Sequence, residues 1–282
     1  MLPASSAHYY ETTKWTHDAS RYRLGLSILQ HSHGWQLRDP LQVRRDEISR
    51  SFQHALFGGP PPVGSDTITL SPDVIHGEVR GGRAIEVPPD FPPDMATLHR
   101  ALVSASALID VMLDMEHIPA QAPTRWTAAN QAFSDWLDTQ PLDSNQKRNS
   151  IDAFLMNDLV TEIAEEALKG GLTIDQVRVW MENGGKSIAL TPGLGLYREM
   201  MQDRHLKVGL TWRPSDLTDM IYLSMAAGYA DVVVCENSMG ASLNTGIKRL
   251  HRNTSVFRRL SDALPTIETM LESRGLRPTT AG

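Results

Sequence analysis

A chain of 282 residues with 41% hydrophobic and 21% charged content has material for one large globular core or two smaller ones. A net charge of −6 excludes a broadly basic nucleic-acid coat, and a single cysteine, Cys235, excludes an internal disulfide framework and favours a reducing compartment such as the cytoplasm. No apolar run is long enough to span a bilayer, and the N-terminus lacks the charged-then-apolar pattern of a secretory signal.

In chain order, residues 5–33 read as helix, with Leu24, Ile28 and Leu29 on one face. An extended link through Pro40 leads to a second helix beginning near Leu41 or Val43, whose Arg44, Arg45 and Arg50 form either a solvated face or a contact for phosphate. Residues 58–94 are rich in Gly and Pro and read as a long loop carrying the short strand TITL, either folded over a site or simply exposed. A helix follows from Asp94 to about Ile118, with Asp110, Asp114 and Glu116 clustered toward its end. Helices over 124–140 and 146–169 come next, and then TIDQVRVWMENGG, capped by Thr173. Trp126, Trp136 and Trp180 read as packing residues between these helices, and Pro192 opens the helix GLYREMMQDRHL.

The most informative stretch is TWRPSDLTDMIYLSMAAGYADVVVCE, residues 211–236. Ser215 is placed as an N-cap, Asp216 and Asp219 fall in the first turn, and Met220, Leu223, Ala226 and Ala227 recur at helical spacing. Gly228 is expected to end that helix, and Val232, Val233 and Val234 form a buried parallel strand that delivers Glu236 to its C-terminal end. Acids in a first helical turn are favoured by the helix dipole whatever the function. Acids at a helix start and at the tip of the next strand together suggest a site for a divalent cation. Cys235, on the same strand, reads as core and not as a nucleophile. His31 and His33 read as a helix terminus.

This stretch resembles the C-terminal half of PIN-domain-like nucleases, with Asp219 and Glu236 at the matching acidic positions and Asp216 and Asp231 as neighbours. At the other end, SSAHYYETTKW is similar to the segment of a PIN-like subfamily that carries a central carboxylate, here Glu11, with His8 and Tyr9 beside it. The family's first strand and its Asp have no counterpart before Ser5. The resemblance therefore implies a late start, a gene that has lost its beginning, or Asp73 serving out of order.

What the resemblance implies is an α/β fold with a PIN-like, mostly parallel sheet flanked by helices and interrupted by a large helical insertion. Residues 1–57 and 191–272 would form the core, 58–93 a loop insertion, 94–190 the helical insertion and 273–282 a flexible tail. Glu11, Asp219 and Glu236, assisted by Asp216 or Asp231, would hold Mg²⁺ or Mn²⁺ and hydrolyse single-stranded RNA in the cytoplasm. His8, Arg44, Arg45, Arg213, Lys248 and Arg249 would contact that RNA. A toxin–antitoxin setting with an inhibitory partner, or a homo-oligomer, would fit. The other reading is a binding or regulatory protein that kept the fold and lost the first catalytic Asp.

Overall fold

A computed structural model describes residues 2–13, 15–61, 67–70, 87, 89–113 and 124–275. The chain divides into two units, residues 1–46 with 64–124 and residues 47–63 with 125–282.

In the first unit, α1 (Ser6–Thr13) and α2 (Asp18–Ser32) replace the single helix expected over 5–33. The break comes before Asp18, where His17 becomes the N-cap of α2 and its ring accepts the Ser20 N–H. His33 closes α2 in the left-handed region, so the His31–His33 pair is a helix terminus. Gly34 follows with φ +81, and a Cβ there would lie 2.6 Å from the Ala101 carbonyl oxygen, so only glycine fits. Strand β1 (Gln36–Leu37) leads into α3 (Pro40–Phe57), within which the two units divide. Strand β2 (Ile68–Thr69) pairs antiparallel with β1, and α4 (Pro93–Leu113) packs against α2.

The second unit holds α5 (Arg125–Thr139), α6 (Ser144–Asp158), α7 (Val160–Lys169), α8 (Ile174–Glu182) and the short α9 (Gly184–Ala189). Its core is α10 (Pro192–His205), buried at 12 of its 14 positions and therefore enclosed on all sides instead of amphipathic. Next come α11 (Asp216–Tyr229), β3 (Val232–Val234), α12 (Asn237–Arg249), β4 (Ser255–Phe257) and α13 (Leu260–Ser273). Strands β3 and β4 pair in parallel, with α12 as the crossover between them.

The expected PIN-like, mostly parallel sheet is overturned. Among the described residues the strands number four, each of two or three residues, in two separate two-stranded sheets, and helices dominate. The physical reason lies in the spacing of the apolar residues. Outside Val232–Val234 they recur at helical intervals, and the other β-branched runs are too short to build a sheet. Gly228 does not end α11 either; the helix continues to Tyr229, and Gly228 serves a helix crossing. Asp73, Asp114 and Glu116, the side chains of Tyr9 and Asp110, and most of the Gly/Pro-rich loop lie outside the described residues.

Candidate functional site

Pro214 and Ser215 lead into α11, but the Ser215 side chain makes no cap bond. Asp216 takes over that end of the helix. Its carboxylate accepts the Arg213 backbone N–H at 2.7 Å and forms a very short ion pair with Arg204 of α10. Both partners are buried, Asp216 to 3% exposure, and the Arg204 guanidinium lies 4.7 Å from the centre of the Trp212 ring. Burial draws the Arg204 pKa down, while the Asp216 charge opposes that shift. A carboxylate so enclosed has its acceptor capacity directed at the protein's own cation.

The remaining acids of this stretch differ in exposure, and the Asp219 charge acts with that of Asp216 on Arg204. Asp219 is half-buried in the first turn of α11. Asp231 is exposed and receives both terminal nitrogens of Arg274, at 3.0 and 2.8 Å. Glu236 is exposed at the C-terminal end of β3, as the sequence suggested, and accepts the Ser238 hydroxyl at 2.6 Å. Burial and the neighbouring Glu236 charge push the Cys235 thiol above its ordinary pKa, which disfavours the thiolate needed for nucleophilic attack.

Glu11 belongs to the first unit and is exposed on α1. In the same helix, His8 Nδ1 lies 3.1 Å from the Ser5 backbone nitrogen and 2.9 Å from its hydroxyl, which gives the ring a local role at the helix start. Arg44 is buried and Arg45 half-buried on α3. Arg213, Lys248 and Arg249 are exposed, and Arg249 reaches Glu199 at 3.3 Å. The structure thus brings Asp216 to Arg204 and Asp231 to Arg274. Among the described residues, no three His, Cys, Asp or Glu side chains converge as metal ligands. Of the five acids that the resemblance offered as ligands of Mg²⁺ or Mn²⁺, Asp216 and Asp231 are each bound to an arginine.

Two polar clusters went unnoticed in the sequence. Glu47 on α3 is fully buried at the N-terminus of α10, where it accepts the Gly193 and Leu194 N–H groups at 2.7 and 2.6 Å and the Tyr229 hydroxyl at 2.7 Å. Burial raises its pKa, against the pull of these hydrogen bonds. A signal was available: Glu47 shares the buried face of α3 with Val43, Ile48, Ser51 and Phe52.

The second cluster centres on His205. Its Nδ1 lies 2.7 Å from the Ser134 hydroxyl and its Nε2 3.1 Å from Asn130 Oδ1, while Trp212 Nε1 donates to Ser134 at 2.9 Å. Burial and the neighbouring Arg204 charge lower the His205 pKa to about 3. The ring is therefore neutral, accepting from Ser134 and donating to Asn130. Ser, His and Asn in contact have the composition of a nucleophilic triad. Here Ser134 is only 4% exposed and receives an indole N–H, so no substrate reaches it and the cluster serves packing.

Comparison with protein families, with curated proteins and with solved structures finds no match to this chain. No helix among the described residues is long and apolar enough to cross a membrane.

Proposed function

We propose that this chain is a cytoplasmic binding or regulatory protein that works through contacts with another protein. The observation that carries this reading is the Arg204–Asp216 pair. The deepest acid of the most suggestive stretch is bound to a cation within the fold, so that stretch is a structural element. Asp231 is likewise bound to Arg274, and the net charge of −6 suits a protein partner better than a polyanion.

Hydrolysis of single-stranded RNA is the second reading. It is favoured by Glu236, which stands exposed at the C-terminal end of a parallel strand, with Asp219 half-buried on the preceding helix. One experiment separates the two: incubate labelled single-stranded RNA with the full chain and Mn²⁺, beside Asp219→Asn. The binding reading expects no cleavage by either protein. Cleavage by the wild type that Asp219→Asn abolishes would replace it with the hydrolytic one.

A further inference from the structure

The β3–β4 pair is small for parallel pairing, which gains stability from further strands and from helices packed on it. Its ladder also fixes which backbone groups are left over. Cys235 N–H donates to Phe257 O at 3.0 Å, and Ser255 N–H to Asp231 O at 2.9 Å. Backbone groups alternate sides along a strand, so Asp231, Val233 and Cys235 turn toward β4. Val232 and Val234 turn their N–H and C=O groups the other way. Among the described residues no other strand pairs with β3, and no hydrogen bond reaches these four groups.

The edge is open at its C-terminal end, where Val234 is 41% exposed and Glu236 is exposed. Proteins guard a free edge with lysine, proline or a bulge. Val232–Val234 carry none of these, and the shortness of the strand is its one protection. A β-branched edge with unmet donors and acceptors is suited to taking up another strand.

The four groups are complementary to themselves. Val232 and Val234 stand evenly about Val233, and in antiparallel pairing the residues that exchange two hydrogen bonds recur at every second position. A second copy turned about a two-fold axis through Val233 sets its Val234 opposite Val232 and its Val232 opposite Val234. All four groups on each copy are then met. In that register Asp231 faces Cys235 and Glu236 faces Ala230, so no charge stands opposite its like. Strands about 4.8 Å apart put the midlines of the two sheets about 10 Å apart, the distance at which helices pack side by side. Helix α13, which lies against both strands, therefore has room beside its copy.

We propose that β3 is the edge through which two copies of this chain associate, joining the β3–β4 pair of each into one sheet of four strands. The inference is independent of the binding and hydrolytic readings above.

Sedimentation of the full chain from about 1 to 100 μM measures the association. Val234→Pro removes an outward N–H and breaks no bond to β4. Val256→Pro does the same on the outer edge of β4, since Ser255 and Phe257 are the residues turned toward β3. The wild type and Val256→Pro are expected to be dimers. Val234→Pro is expected to be a monomer, its association weakened about tenfold or more, with its helices intact by circular dichroism.

Val233→Cys tests the register without proline. Across the axis the two residues would lie about 4.5 Å apart at Cα, within the roughly 4.4–6.8 Å span of a disulfide, so diamide is expected to link this variant into a dimer on a non-reducing gel. The two Cys235 residues of the wild type would lie about 13 Å apart and are expected to stay unlinked.

A wild type that stays monomeric overturns the proposal. So does a Val234→Pro variant that remains a folded dimer, or a Val233→Cys variant that diamide does not link. Where a proline variant loses its helices, or both become monomers, the Val233→Cys link decides: its formation supports the edge and its absence overturns it. None of these outcomes bears on RNA cleavage, so the binding reading stands or falls separately.

Discussion

The Arg204–Asp216 pair shows how a single side chain changes the meaning of a motif. Position within the helix placed Asp216 in the first turn of α11, and the structure agrees. Local pattern cannot say which way its carboxylate turns, because its partner lies 12 residues upstream on another helix. Removing one member of a buried pair strands the other charge, which typically costs about 3–5 kcal/mol. Asp216→Ala is therefore expected to lose stability on that scale in urea unfolding. Glu236→Gln, at an exposed position, is expected to stay within about 0.5 kcal/mol of the wild type. A small effect of Asp216→Ala would mean that Asp216 does not hold the helix end in place.

At the level of elements, most helices could be read from the sequence and their crossings could not. Apolar spacing, with Pro192 at the start of α10, located α5, α8, α10 and α11, since each depends on its own few residues; of the expected caps, Thr173 caps α8 and Ser215 makes no cap bond. Helix α3, placed near Leu41 or Val43, starts close by at Pro40. The stretch expected as one helix over 146–169 divides at Leu159, where ψ is near zero. The reason for Gly228 lies on another helix. A Cβ there would stand 2.6 Å from the Gly193 backbone nitrogen, so α10 and α11 touch through two glycines. At Gly193, a Cβ would meet Met225 Sδ at 2.2 Å, the far part of a flexible side chain, although Met225 Cα lies 3.1 Å away. Gly228→Ala is accordingly expected to destabilise more than Gly193→Ala, with the larger loss about 3 kcal/mol, as overpacking against backbone costs. The ranking is read from paired urea titrations, and the reverse order would mean that Met225 yields less than the backbone does.

Across the whole molecule, buried titratable groups set how stability responds to acid. His205 has a folded pKa of about 3, below the unfolded value of 6.5, so the unfolded chain binds the extra proton first. Its contribution is complete above pH 6.5 and is lost as the pH falls toward 3. At pH 5 the loss is about 2 kcal/mol. Glu47 acts in the opposite sense. Its folded pKa is raised, so the folded state binds the proton first and gains relative stability as the pH falls through that value. Glu47→Gln removes this gain, and its unfolding midpoint is expected to drop more steeply than that of the wild type as the pH is lowered from 7. Parallel profiles would show that Glu47 takes up no extra proton in the folded state. The candidate site was least legible at this scale. The sequence held five acids that suggested a metal centre, but pairing with Arg204 and Arg274 depends on chain-wide contacts that no local pattern encodes.

The Glu47 contacts also constrain the order in which the chain can be made. Its backbone partners lie 146 and 147 residues later in the sequence. At synthesis rates of roughly 5–20 residues per second, they leave the ribosome on the order of 10 seconds or more after Glu47 does. Through that interval the carboxylate lacks these donors, and burying it would leave its charge without them. The buried face of α3 must therefore wait, solvated, until α10 emerges. Nascent chains halted before residue 193 should keep that face open to proteases, and chains released beyond Tyr229 should close it.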